Sequence, residues 1–160
     1  MNRAWAPLGS DRFYNLVKAG YYDGIRFHRV MDGFVTEFGI HGDPWVNAAW
    51  RQAIMVDDPV VESNTRGRVT FSKSTPNSRT VQIFINTDDN PNLDAQGFSP
   101  FGEVVEGMDV VDALHRVGDG PPRGDGVYQA MAIARGDEYF DEEFPDLDRI
   151  ERAVLEVAGG

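Results

Sequence analysis

Apolar and polar positions alternate over short stretches along most of this chain and shift to helical spacing in a few places. Ile25–Val30 and Phe34–Gly39 are rich in β-branched and aromatic residues and flank Met31-Asp32-Gly33, where Asp-Gly signals a hairpin turn. Arg68–Ser72, Val81–Asn86, Phe101–Val105 and Val127–Ala134 predict further strands. Pro7 can open a helix because the first turn does not need its missing N–H, and Phe13, Leu16 and Val17 continue at helical spacing to a left-handed stop at Gly20. That predicts a first helix over 7–19. A second is predicted over Gly107–Val117, with Met108, Val111, Leu114 and His115 on one face and Gly118 after its end. His115 is then a core or boundary residue. Asp137–Phe144 reads as a short helix stopped by Pro145. Ile150–Val157 supports two readings: helical spacing links Leu147, Ile150 and Val154, whereas its composition favours a strand. Many short strands with separated helices predict a mainly β fold, a barrel or sandwich with helices at its ends.

Length and charge narrow the function. At 160 residues the chain is one domain long, 1–160, and can bury about two-thirds of its unfolded surface. It has no cysteine, hence no disulfide, thiolate nucleophile or cysteine zinc site. Fifteen Lys and Arg against 26 Asp and Glu give a net charge of −11, which argues against nucleic acid as a partner. The acidity is uneven: the segment 136–160 holds nine acids and two bases, a net −7. A solvated face explains that segment most simply; a site for a basic partner is the alternative. No run is long and apolar enough for a membrane span, and Met1–Ala6 has no apolar core of a signal peptide, so the chain as written reads as cytoplasmic and without membrane partners.

Familiar catalytic patterns fail. Gly118, Gly120, Gly124 and Gly126 lie close together but match neither phosphate-loop nor dinucleotide spacing. There is no G-x-S-x-G elbow, and His28, His41 and His115 are not spaced as a metal motif. Asp88–Asp94 starts like a calcium loop, but Leu93 and Ser99 occupy the places that need Gly and Glu, so it reads as a solvated turn. No cofactor and no metal are called for.

The informative segment is Phe27–Val35. Side chains alternate along a strand, so Phe27, Arg29 and Met31 share a face, and an arginine within an apolar strand is costly unless paired or used. The run Tyr21-Tyr22-Asp23-Gly24-Ile25-Arg26-Phe27-His28-Arg29-Val30 through Gly33-Phe34 resembles the cyclophilins, a family of peptidyl-prolyl isomerases. So do Gly42-Asp43-Pro44, Pro76-Asn77 leading to Gln82-Ile83-Phe84-Ile85-Asn86-Thr87, and Leu93-Asp94 followed by Phe101-Gly102-Glu103-Val104-Val105-Glu106-Gly107-Met108-Asp109-Val110-Val111. The motifs are ordered, spaced and span nearly the whole chain, with Leu93–Gly102 and the tail around Phe144-Pro145 looking like a divergent bacterial branch.

The resemblance implies a cyclophilin-like antiparallel β-barrel of eight strands capped by two helices, with the site in a groove on its outer face. It implies that Arg29 is the catalytic arginine, that Phe34, Val35, Phe84 and Leu93 form the proline pocket, and that Gln82 supports the site. It further implies peptidyl-prolyl cis–trans isomerase activity without a cofactor, acting on proline-containing peptides and unfolded client proteins. A proline-peptide binding or chaperone module with little turnover is the alternative, and an acidic scaffold using 136–160 is a third reading.

Several positions depart from the family pattern. Glu37 stands where a glutamine is usual, so a carboxylate can pair with Arg29, which predicts reduced turnover. Asn92 replaces a Trp or His that contacts cyclosporin, which predicts weak affinity for that ligand. Ser72 and Lys73 replace an Ala-Asn pair whose backbone meets the peptide, with Lys73 adding charge at the rim. Phe98 takes the place of a pocket histidine. Finally, only Met1–Ala6 precedes Pro7, where the family has two strands, about 15–20 residues with their turn. The expectation is either an upstream start, with a periplasmic or secreted location then open, or an incomplete barrel with exposed edges prone to association.

Overall fold

A computed structural model describes residues 1–156. Its centre is a five-stranded sheet of β1 (Phe27–Val30), β2 (Val35–Phe38), β3 (Arg68–Phe71), β4 (Ile83–Asn86) and β5 (Pro100–Glu103). The spatial order is β1-β2-β4-β3-β5, and every neighbouring pair is antiparallel. The Asp-Gly hairpin forms as predicted: Gly33 takes φ +65°, a conformation that favours glycine, and Met31 N–H bonds Val35 C=O at 3.0 Å.

The sheet is antiparallel as expected, and it stays open, in keeping with the expectation of an incomplete barrel. Its outer edges are met by irregular chain. On β1, Val30 exchanges backbone bonds with Val117, and Phe27 N–H reaches Asp148 C=O at 2.9 Å. On β5, Asn2 N–H reaches Phe101 C=O at 2.7 Å. These contacts satisfy backbone groups that a bare edge would leave open.

Strand alternation divides the two faces. Phe38, Phe71, Ile83 and Ile85 point into the main core, where they meet Leu16 and Val17 of α1 (Pro7–Lys18) and Tyr21, Tyr22 and Ile25. Val35 and Phe84 point the other way and, with Leu93, make a separate small apolar cluster. Helix α1 starts at Pro7 as predicted, and Asp58 accepts from the free Leu8 and Gly9 N–H groups at its start, at 3.1 and 2.9 Å.

Five α-helices form among the described residues, against the three predicted along the chain. α2 (Pro44–Trp50) was not predicted, although Asp43 caps it by accepting from Trp45 N–H at 2.8 Å and Pro44 opens it. α3 is only Met108–Asp112; the chain then turns so that Val117 can pair with β1, and His115 is exposed, not core. The segment 127–134 is not a strand: Gln129–Arg135 is α4. Its Ala, Met and Gln are good helix formers, and it packs between α2 and α5 instead of joining a sheet. α5 (Asp137–Glu143) matches the expected short helix before Pro145. With Val30, Ile40 and Val117, these helices bury Val127, Ala132, Tyr139, Phe140 and Leu147 in a second core.

The tail is a clasp along the chain before β1. Arg26, nearly buried, pairs with Asp137 and Asp141 of α5. Gly24 N–H reaches Ile150 C=O at 2.7 Å, and Ile150 N–H reaches Ile25 C=O at 2.9 Å. Residues 150–156 form neither helix nor a named strand, and Val157 lies outside the described residues. No helix among the described residues is long and apolar enough to cross a membrane.

Candidate functional site

The face of the sheet turned away from the main core carries the chemistry. Arg29 on β1 and Glu37 on β2 are directly opposite in register, and Glu37 is in turn opposite Phe84 on β4. Cross-strand partners share a face, so the arginine, the carboxylate and the phenyl ring form one row. Val35 lies two residues before Glu37, and Leu93 reaches the row from a single 3-10 turn, Pro91–Leu93. Phe34 and Phe98 line the same cluster half-buried. The Phe84 and Phe98 rings meet edge to face at 5.7 Å, and the Arg29 guanidinium sits 5.5 Å from the centre of the Phe34 ring.

Arg29 is held between two carboxylates. Its Nη1 donates to Glu37 Oε2 at 3.3 Å and its Nε donates to Asp119 Oδ1 at 2.6 Å, with the arginine side chain 17% exposed. Nη2 makes no hydrogen bond among the described residues. The other oxygen of Glu37 accepts from Ser72 Oγ at 2.7 Å, which ties the start of the loop after β3 to the arginine. Among the residues singled out from the sequence, Arg29, Phe34, Val35, Glu37, Ser72, Phe84, Leu93 and Phe98 are therefore contiguous.

The others stand at the margins. Lys73 does not present a free charge at the rim: its side chain is only 5% exposed, and Nζ donates to Asp57 Oδ2 at 2.6 Å and Gly97 C=O at 2.7 Å. It lies 5.2 Å from the Phe98 ring, so it braces that wall of the pocket. Burial alone would push the Asp57 carboxyl up, but the bonds from Lys73 and the Asn77 backbone, with the charges of Lys73 and Arg79, hold it below the usual carboxylate range. Gln82 precedes β4 half-exposed; its carbonyl accepts from Ser72 N–H at 2.9 Å, and its side chain makes no hydrogen bond among the described residues. Asn92 is exposed on the 3-10 turn.

Asp119 was not singled out from the sequence. The only signal was an acid inside the glycine cluster 118–126, which fits no phosphate motif. Equally unforeseen is a buried polar network beneath the pocket. Asn64 donates from Nδ2 to Asp94 at 2.8 Å and to Phe98 C=O at 2.9 Å, while Thr70 and Asn86 donate to its Oδ1. Asn90 donates to Phe34 C=O and to Asn86 Oδ1, each at 2.9 Å. One network thus fixes both Phe34 and Phe98 from below. Burial acts to raise the Asp94 carboxyl, yet hydrogen bonds from Ser63 and Asn64 bring it below its usual range.

Asp94 is thereby turned inward, and Asp88 and Asp89 are exposed. Among the described residues no three His, Asp or Glu side chains are grouped to hold a metal ion. The arrangement offers one oriented cation, flanked by two carboxylates, beside a small apolar cluster.

The chain is similar to known proteins. A family model described as cyclophilin type peptidyl-prolyl cis-trans isomerase matches residues 1–135. A peptidyl-prolyl cis-trans isomerase of Acinetobacter baylyi is 36% identical over 117 residues, covering 70% of this chain and 62% of the relative. Peptidyl-prolyl cis-trans isomerase B of Escherichia coli is 33% identical over 123 residues, covering 72% and 75%. The chain thus spans just over three-fifths of the Acinetobacter relative's length. A crystal structure of a Cryptosporidium parvum cyclophilin type isomerase, in the presence of the dipeptide Ala-Pro, superposes with a TM-score of 0.59 at 22% identity, covering 78% of this chain and 82% of that one. That likeness concerns the fold. The family match stops at Arg135, so α5 and the tail that clasps Arg26 lie beyond it. Since the matched region contains the whole Arg29 groove, this chain belongs to the cyclophilin-type peptidyl-prolyl cis-trans isomerase family.

Proposed function

We propose that the chain is a peptidyl-prolyl cis–trans isomerase acting on exposed X-Pro segments of peptides and unfolded proteins. The observation that carries this is Arg29 standing beside the Val35–Phe84–Leu93 apolar cluster, against which Phe34 and Phe98 pack partly exposed. The relatives' activity, as their names state it, supports the same reading.

The chemistry needs little more. Amide resonance sets a rotation barrier of ~18–20 kcal/mol and makes uncatalysed X-Pro exchange slow. As the bond twists, the prolyl nitrogen loses conjugation and its lone pair becomes available. A guanidinium N–H aimed at that nitrogen bonds it most strongly in the twisted state, which is differential stabilisation of the transition state. One such charge-assisted bond, ~1.5–3 kcal/mol, is worth roughly ten- to hundredfold. The remainder comes from gripping the proline ring in a dry apolar pocket while the other side rotates. Arg29 Nη2, free of intramolecular bonds among the described residues, is the donor best placed for this.

The test is a protease-coupled isomerisation assay on Ala-Pro and Gly-Pro peptides. Acceleration by the natural chain and its loss in Phe84→Ala, which empties the pocket, is the expected result. A second reading, a proline-peptide binder with little turnover, is favoured by the Glu37 carboxylate on Arg29 Nη1. Peptide binding without acceleration in the same assay would select it.

A further inference from the structure

The glycine cluster 118–126 matches no phosphate-binding spacing, yet its backbone is tightly folded, and of its two acids, Asp119 and Asp125, it is Asp119 that reaches Arg29. A Cβ at Gly120 would collide with the Val127 carbonyl, one at Gly124 with the Asp119 carbonyl, and one at Gly126 with the Gly118 carbonyl. The backbone is knotted by Gly126 N–H to Asp119 C=O at 2.9 Å and Arg123 N–H to Gly120 C=O at 3.1 Å. Three glycines are thus needed for close backbone approach, and what the loop delivers is the Asp119 carboxylate to Arg29 Nε at 2.6 Å.

We propose that Asp119 is a positioning residue for Arg29 and that the glycine loop exists to present it. The Nε atom lies at the stem of the guanidinium. A charge-assisted bond there fixes rotation about the last side-chain torsion and so fixes the plane of the head. It leaves the two Nη groups at the tip, of which Glu37 takes one and none of the described residues takes the other. Without Asp119, the arginine can swing towards Glu37 or stack on Phe34, 5.5 Å away, and spend less time aimed at the groove. The carboxylate, 26% exposed, is not in the apolar cluster, so it acts through the arginine and not on the proline ring. This role rests on the isomerase reading of the site.

The experiment pairs two readouts in Asp119→Ala, Asp119→Asn and Gly120→Ala. One is the NMR signal of the Arg29 Nε–H, which a short carboxylate bond keeps in slow exchange and shifts downfield. The other is isomerisation of an Ala-Pro peptide by line-shape analysis, which separates kcat from KM. Asp119→Ala is expected to abolish the slow-exchanging signal and lower kcat about tenfold, with KM within twofold. Asp119→Asn, which keeps an acceptor oxygen, is expected to retain the signal and stay within about threefold of the natural chain. Gly120→Ala, which leaves the carboxylate but displaces its loop, is expected to resemble Asp119→Ala. Unchanged or higher kcat in Asp119→Ala, or a retained Nε–H signal, overturns the proposal. If the natural chain turns over no peptide, the isomerase reading fails. The positioning claim is then decided by the Nε–H signal and by whether peptide still shifts it in Asp119→Ala.

Discussion

Glu37→Gln is the substitution that most sharply separates an arginine held in reserve from one free to act. Glu37 Oε2 accepts from Arg29 Nη1 at 3.3 Å, and both side chains are largely withdrawn from water. To turn its free Nη2 onto a substrate nitrogen, Arg29 must move its head and loosen the charge-assisted bond that Nη1 makes to Glu37. The bond from Arg29 is charge-assisted with either acceptor, but in this largely buried pair the carboxylate adds an ion-pair attraction of about 1–1.5 kcal/mol that an amide lacks. Replacing the carboxylate by an amide therefore removes roughly 1–1.5 kcal/mol of competition, which converts to about five- to tenfold in rate at ~1.4 kcal/mol per decade. The fold should tolerate the change: the amide oxygen can accept from Arg29 Nη1 while its NH2 donates to Ser72 Oγ, which lies 2.7 Å from Glu37, and Arg29 keeps its bond to Asp119. The assay is protease-coupled isomerisation of Ala-Pro and Gly-Pro peptides, with thermal unfolding as control. A variant that unfolds like the natural chain and turns over five- to tenfold faster is the expected outcome. Equal or slower turnover with unchanged unfolding refutes the idea that Glu37 restrains the arginine.

Other consequences can be checked independently. Asn64 is wholly buried with four side-chain hydrogen bonds, so Asn64→Ala orphans several polar groups. It should lower unfolding free energy by about 3 kcal/mol in urea titration, and a loss below ~1 kcal/mol would contradict that. His28 is buried with both ring nitrogens unbonded, and burial, opposed in part by Glu37, holds its pKa below the ordinary value. An imidazole that resists protonation when folded stabilises above its unfolded pKa, ~6.5, and that stability is lost as pH falls below it. Unfolding free energy should therefore decline from pH 7 to 5, and His28→Gln should flatten the decline; the same slope in the variant would count against this cause.

Most strands were legible as short β-branched or aromatic runs, several of them beside Gly, Asp or Pro, and the Asp32-Gly33 turn fixed their first pairing. The groove was legible as far as it lies on strands: with Arg29 and Glu37 opposed and side chains alternating, Val35 and Phe84 had to fall on one face. What was missed depends on contacts between distant segments. Val127–Ala134 has strand-like content, yet packing against α2 and α5 favours the helix that its alanines permit. Asp119 and Asn64 reach the site from loops, 90 residues from Arg29 in one case, and no periodicity announces such contacts. Lys73 read as an exposed rim charge because Asp57, which neutralises it, lies 16 residues earlier.

The most direct test of the account compares the natural chain with Arg29→Ala in the protease-coupled assay on Ala-Pro and Gly-Pro peptides, with peptide affinity measured alongside. The apolar pocket formed by Val35, Phe84 and Leu93 is untouched by the substitution, so peptide binding should persist. The rate should fall by roughly ten- to hundredfold, the worth of one charge-assisted bond in the twisted state. Equal rates for the two proteins would contradict the claim that Arg29 is the electrostatic catalyst.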